Sequence, residues 1–314
     1  MAVNRTRRTV TDLAKNYFNC PDYARLSRST RRNYASSWRT LAALYVSGKL
    51  FAEYLPHKIT PAVVENIKDS IIVTRGVGAA KLTFALLNNI WDKAYRMELV
   101  KYNPWTTPKI RGAKKRDTMW TQQQIIRFAY MARHQYKWDD IALIFLLCYE
   151  TSQRPIDIIN LTKQQVGERD NNLYIFLKQQ KTGTYVSLLV PDYLKDAIKN
   201  LLNVESPYDN IFLMRNGKPR TYATFAHCCD TIMKSDSLFE GLQIRDLRRT
   251  AITEAHNAKA TEWEAMSLGG HKNPQSTIPY RVHSNEAAHE AQRKRWEARD
   301  SVNYWSDPSK PSSR

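Results

Sequence analysis

Apolar residues recur every three or four positions along much of this chain, and the breaks in that rhythm mark its elements. Val10 to Phe18 carries a short amphipathic helical pattern. The stretch STRRNYASSWRTLAALYVSG sets Tyr34, Trp38, Leu41, Ala42 and Tyr45 at spacings of 4, 3, 1 and 3, an apolar helical stripe, with Arg28, Arg31, Arg32 and Arg39 largely off it. Thr60 followed by Pro61 is a cap and a first-turn proline, so another helix opens there. Gly76 and Gly78 interrupt that pattern, and residues 79–99 resume it with Leu82, Leu86, Ile90, Ala94 and Met97. The reading is an all-helical N-terminal domain over residues 1–101.

Asn103-Pro104 and Thr107-Pro108 then stop helix, and KIRGAKKRD puts five basic residues in nine. Residues 102–118 therefore read as a basic interdomain linker. Thr121 with Gln124 spells a capping box ahead of Ile125, Phe128 and Ala129, which starts a second domain over 119–284. Asp139 to Tyr149 is apolar on nearly every side, the pattern of a buried core helix. LYIFLKQQKTGTYVSLLVP (173–191) reads as two strands around a Lys-Thr-Gly-Thr turn. Residues 192–240 add helices and a loop at Asn216-Gly217-Lys218-Pro219. A last helix spans Asn285 to Arg299, and 285–314 reads as that helix plus a polar tail. The fold class expected is mainly α with a small β-sheet, in two domains.

Charge sharpens this picture. The net charge is +18, but residues 1–117 hold 22 Lys/Arg against 8 Asp/Glu, whereas 118–314 hold 26 against 22. A basic module joined to a nearly balanced one implies that the first half grips a polyanion, and nucleic acid fits best. Aromatics interleaved with the charges (Tyr34, Trp38, Trp91, Tyr102, Trp105) mark a folded domain, not a basic tail. Arg28, Arg31, Arg32, Arg39, Lys109, Arg111, Lys114, Lys115 and Arg116 are the candidate DNA-binding residues. No run approaches the roughly 18 apolar residues of a membrane span, and no apolar segment follows the charged N-terminus. Four cysteines form neither a disulfide framework nor a zinc spacing. Reduced thiols and a cytoplasmic location are expected, with no membrane partner.

The candidate chemistry lies in four places. Arg154 follows the buried helix at once, needs a partner or ligand there, and has Asp157 three residues on to orient it. Lys181 sits at the hairpin turn; as a lone turn lysine it is an ordinary solvated side chain. Arg245 and Arg248 are three apart, on one helical face. Gly269-Gly270-His271 comes later, and Tyr280 stands nine residues after that histidine. Guanidiniums fork onto phosphate oxygens, an imidazole moves a proton, and a phenol attacks phosphorus.

In this order and spacing the residues resemble the tyrosine recombinases, the phage integrase family. There a Gly-x-Arg-x-x-Glu motif, a hairpin lysine, His-x-x-Arg, Leu-Gly-His and a nucleophilic tyrosine follow one another. Ser152 stands where glycine is usual, Asp157 where glutamate is, and Arg245 where histidine is. The resemblance implies a helical core-binding domain and a catalytic domain closing as a clamp around duplex DNA. It further implies a phosphotyrosyl mechanism with Tyr280 as nucleophile, Arg154 and Arg248 on the phosphate and Lys181 protonating the leaving oxygen. His271 serves the phosphate or the phenol proton. Arg245 can bind phosphate but cannot act as a base near neutral pH.

No cofactor is expected, since the bond energy is kept in the covalent link; there is no carboxylate cluster for two metals and no Walker-type loop. The partners implied are duplex DNA with an attachment-type site and three further copies, a homotetramer on DNA formed from monomers in solution, joined through a Holliday junction. A separate arm-binding domain has little room before residue 10. Two alternatives stay open: a type IB topoisomerase-like nicking-closing enzyme, and a catalytically silent DNA-binding protein on the same scaffold. For the C-terminal segment, exchange with a neighbouring protomer and a frayed surface helix are equally open.

Overall fold

The computed structural model describes residues 8–106, 110, 117–270 and 285–299, with backbone alone at 285–287. Among them the chain divides into two compact units, one ending at Arg116 and one beginning at Asp117.

In the first unit, α1 (Val10–Phe18) is capped by Thr9, whose backbone N–H donates to Asp12 Oδ2 at 2.8 Å. It buries Val10, Leu13, Ala14 and Tyr17. A one-turn α2 (Pro21–Ala24) leads to α3 (Arg28–Ala42), capped by Ser27. Tyr34 and Leu41 of α3 are buried, while Arg28, Arg31, Arg32 and Arg39 are all exposed. Tyr45 departs from the helical stripe expected of it: α3 stops at Ala42, and Tyr45 lies 69% exposed on a two-stranded ribbon. That ribbon pairs β1 (Tyr45–Val46) with β2 (Lys49–Leu50). The cause is Ser47-Gly48, both at positive φ (48° and 78°), the backbone of a tight two-residue hairpin turn.

The helix α4 (Pro61–Arg96) starts on Thr60 and Pro61 as expected, and Gly76 at φ 83° breaks it without ending it. It is long and apolar enough to cross a membrane by length and composition. Its Ile67, Ile71, Phe84, Leu86, Leu87, Ile90 and Trp91 are used instead in the core of this unit, at roughly 1.5–3 kcal/mol for each large side chain buried. Met97, expected on the same stripe, is the exposed C-cap. The start of the expected linker is also part of this core. Trp105 is 4% exposed and meets Phe51, Phe84 and Trp91 edge-on at 5.9, 5.5 and 5.3 Å. Asn103 ties the segment down by donating to Asp92 Oδ1 at 2.7 Å. A tryptophan with an apolar wall in reach does not remain in a linker.

The second unit is built on α6 (Asp139–Thr151), buried throughout Ile141–Thr151. Before it, α5 (Gln122–Tyr130) begins on the expected Thr121–Gln124 box. After it come α7 (Pro155–Ile159) and an antiparallel sheet in the order β3-β4-β5. The expected hairpin is β4 (Asn172–Lys178) and β5 (Tyr185–Leu189), paired from Tyr174↔Leu189 to Lys178↔Tyr185. Strand β3 (Val166–Arg169) was not expected; it is joined to β4 by Asp170-Asn171, both at positive φ. Leu173, Ile175, Leu177, Val186 and Leu188 are buried in the core. Then follow α8 (Asp192–Leu202), α9 (Tyr222–Lys234), α10 (Asp246–Asn257) and α11 (Glu262–Gly269).

The C-terminal segment is not a frayed surface helix: α12 (Asn285–Glu297) packs on the second unit. Gln292, fully buried, behaves as a short strand: its Oε1 accepts from Leu189 N–H and its Nε2 donates to the Leu189 carbonyl, both at 2.9 Å. Arg295 is 1% exposed. It donates to Glu254 Oε2 at 2.7 Å and to the Glu150 carbonyl at 2.8 Å, and lies 4.1 Å from the Tyr149 ring centre. Trp296 and Arg299 both donate to the Glu150 carboxylate, at 2.7 and 2.6 Å. Burial works to raise the Glu150 pKa, but Arg299 and Arg295 outweigh it and leave the carboxyl below its ordinary value.

Candidate active site

The site starts where the buried helix ends. Ser152, fully buried, takes the left-handed conformation (φ 58°) and terminates α6. Glycine adopts that backbone freely and serine does so at a cost, which explains why the resembling motif has glycine there. The turn at Ser152 throws Arg154 to the start of α7, where Pro155 restarts the helix. Arg154 Nη1 donates to Gln179 Oε1 at 3.3 Å and lies 3.9 Å from Asp157 Oδ2. Asp157 thus faces Arg154 loosely. Its closer bond is from the Gln180 backbone N–H to Oδ1, at 2.8 Å, which fastens the base of the hairpin to α7.

The hairpin turn runs from Gln179 to Thr184. Gln179 N–H donates to the Thr184 carbonyl and Gly183 N–H to the Gln179 carbonyl, both at 2.8 Å. Gly183 at φ 65° lets the chain reverse. Lys181 sits exposed on this turn. Lys178, the last residue of β4 and three positions before Lys181, is occupied over the Tyr185 ring at 5.0 Å.

Helix α10 supplies the second arginine. Arg248 is half-buried and donates from Nη1 to the Ser152 carbonyl (2.9 Å) and from Nη2 to the Gly269 carbonyl (2.6 Å). It therefore joins the end of α6 to the end of α11. Burial, and then the neighbouring Arg154 charge, lowers its pKa to about 10, so it stays cationic at neutral pH. Arg245, one turn earlier at the N-cap of α10, is exposed and has no hydrogen-bond or ion-pair partner among the described residues.

Arg154, Asp157 and Arg248 are thereby brought together, beneath the turn that carries Lys181. Two residues that sequence reasoning passed over, Gln153 and Gln179, hold this arrangement together with Gly270 of the Gly-Gly-His motif. Gly270 has φ 62° and ends α11. The available signal was the Gly-Gly pair just ahead of His271 and the Gln-Gln just ahead of Lys181. His271 and Tyr280 lie outside the described residues, as do Lys109, Arg111, Lys114, Lys115 and Arg116. Among the described residues no group of three or more His, Cys, Asp or Glu is placed to hold a metal ion.

This is the fold class of the tyrosine recombinases, a helical unit followed by a mainly helical one with a small sheet, and residues 120–287 match the phage integrase family. The chain belongs to that family. Its fold is similar to that of a lambda integrase dimer bound to a COC′ core site, with a TM-score of 0.70 at 16% identity, over 94% of this chain and 80% of that one. It is similar as well to a lambda integrase tetramer bound to a Holliday junction (TM-score 0.68, 17% identity, 88% and 81% covered). The Tn1549 transposon integrase in complex with circular intermediate DNA gives a TM-score of 0.68 at 14% identity, with 88% and 96% covered. At such identities the likeness concerns the fold. No curated protein matches the chain.

Proposed function

We propose that this protein is a site-specific DNA recombinase of the integration–excision type that cuts and rejoins strands through a 3′-phosphotyrosyl link at Tyr280. The observation that carries the reading is a charge imbalance. Two guanidiniums converge on one junction, Arg154 through the Gln179 side chain and Arg248 through the Gly269 carbonyl that Gln179 shares, and Asp157, the carboxylate facing Arg154, stands 3.9 Å from it. Partly buried cations held by neutral carbonyls and a carboxamide are stabilised by an incoming anion, and a phosphodiester suits two forked donors.

In the proposed reaction the Tyr280 oxygen bonds to the scissile phosphorus and the bond to the 5′-oxygen breaks. The phenol proton goes to His271, and the departing oxygen takes a proton from Lys181. Arg154 and Arg248 stabilise the charge that grows on the non-bridging oxygens, with Arg245 a further phosphate contact. The reverse attack by a 5′-hydroxyl of a second duplex rejoins the strand. The first unit's exposed Arg28, Arg31, Arg32 and Arg39 support a DNA-gripping role. The lambda integrase tetramer on a Holliday junction supports assembly of four protomers around two duplexes.

The test is covalent trapping in EDTA on a duplex carrying the native site and a nick that lets the 5′-hydroxyl strand leave. A protein–DNA band that disappears in Tyr280→Phe, with binding retained, is expected. Relaxation of supercoiled plasmid without joined products would instead identify a nicking-closing enzyme. Tight binding with no band would identify a silent DNA-binding protein.

A further inference from the structure

We infer that Gln179 is a positioning residue for strand cleavage, holding the Lys181 turn in register with Arg154 and with the Gly269–Gly270 end of α11. The inference rests on the recombinase reading above and concerns a residue outside the motif that suggests it.

Gln179 is fully buried, where its own turn meets the Gln153–Arg154 corner and the end of α11. Its Oε1 accepts from Arg154 Nη1 (3.3 Å) and from Thr182 Oγ1 (2.6 Å). Its Nε2 donates to Gln153 Oε1 (2.6 Å) and to the Gly269 carbonyl (2.9 Å). That is the full capacity of a carboxamide, two acceptances and two donations. The orientation of the amide is dictated by these partners, because a flipped group would set its NH2 against a guanidinium and its oxygen against a carbonyl. The main chain of the same residue closes the turn that bears Lys181.

Two neighbours make the arrangement specific to glutamine. Gln153, also fully buried, passes the link on by donating to the Leu268 carbonyl at 2.8 Å. Gly270 lies so close that a Cβ there would stand 2.8 Å from Gln179 Cδ and nearer still to Nε2. Glutamate at 179 would lose both donations and place a carboxylate on Arg154, cancelling charge reserved for phosphate. Arg248 shares the Gly269 carbonyl with Gln179, so both arginines and the lysine turn refer to one point. A buried side chain that bonds Arg154, shares the Gly269 carbonyl with Arg248 and sits in the lysine turn sets the spacing of the three, and a displacement of about 1 Å costs on the order of a hundredfold in rate.

The experiment compares Gln179→Met and the milder Thr182→Val with the parent chain in single-turnover cleavage of the nicked duplex. Each is also run on a duplex with sulfur in place of the scissile 5′-oxygen. Sulfur leaves without needing a proton, so this substrate bypasses the lysine but not the arginines. Cleavage of the oxygen substrate is expected to fall about a hundredfold in Gln179→Met and about tenfold in Thr182→Val, with DNA affinity near the parent's. The sulfur substrate is expected to recover at least about tenfold of the Gln179→Met loss while recovering none of an Arg154→Ala loss. Cleavage of the oxygen substrate by both variants at the parent's rate overturns the assignment, as does a loss that sulfur leaves unchanged in both. If Gln179→Met does not fold, Thr182→Val alone decides by the same criteria. A parent chain that cleaves neither substrate overturns the recombinase reading itself, and the positioning role with it.

Discussion

Arg248 Nη2 stands 2.6 Å from the carbonyl oxygen of Gly269, two residues ahead of His271 in the chain. Its other terminal nitrogen reaches the Ser152 carbonyl, two residues ahead of Arg154. One planar side chain thus gauges the distance between the two segments that lead into the candidate catalytic residues.

Arg248→Lys removes that gauge, because a single ammonium on a flexible stem cannot span both carbonyls in a fixed plane. Covalent trapping is expected to fall by about 10²–10³, the loss typical of a transition-state donor. The free energy of unfolding, measured by urea titration, is expected to drop by about 1–3 kcal/mol as the carbonyls lose their donors.

The docking of α12 should respond to acid through Glu150. Its folded pKa is depressed, so its contribution is complete above the ordinary glutamate range, at about pH 4.3, and is lost as pH falls below that range through the folded value. Trp296, which donates to this carboxylate, reports the event. A change in tryptophan emission with C-terminal proteolysis is expected below about pH 4.3. Glu150→Gln is expected to be less stable at neutral pH and to lose this step in the titration; a step unchanged in the variant would assign it to another carboxylate.

DNA binding should be steeply salt-dependent, and the exposed α3 arginines should each carry part of it. Alanine at Arg28, Arg31, Arg32 or Arg39 is expected to lower the slope of log K against log salt by about 1 each. The measurement is fluorescence anisotropy across a salt series. A slope unmoved by all four would remove this helix from the interface.

Arg245 tests the one unusual letter in the motif. Exposed at the helix start, it is expected to accept histidine with a stability change within about 0.5 kcal/mol. Arg245→His should preserve or raise cleavage. A fall of a hundredfold or more would mean that the guanidinium has an essential role of its own.

Short-range signals were legible along most of the chain. The cap of α4, the box of α5, the bounds of α1 and the wholly apolar face of α6 each depend on residues three or four apart, where helical geometry makes spacing equal proximity. The hairpin carrying Lys181 was legible from two strand-forming runs around a Thr-Gly turn, a signal equally local. Tyr45 and β3 were misread because a two-residue turn with positive φ, at Ser47-Gly48 and at Asp170-Asn171, is a weak signal beside a strong apolar stripe or a polar run.

What the sequence determined by itself is the class of elements, their order, and a set of residues fit for phosphate chemistry. Only the tertiary structure decided that Gln179 meets Gly269, ninety positions along the chain, and that Arg295 meets the carbonyl of Glu150, 145 positions back. Such bonds leave no period and no local motif. They form because a polar group carried into the interior by its neighbours must find a partner there, wherever in the sequence that partner lies.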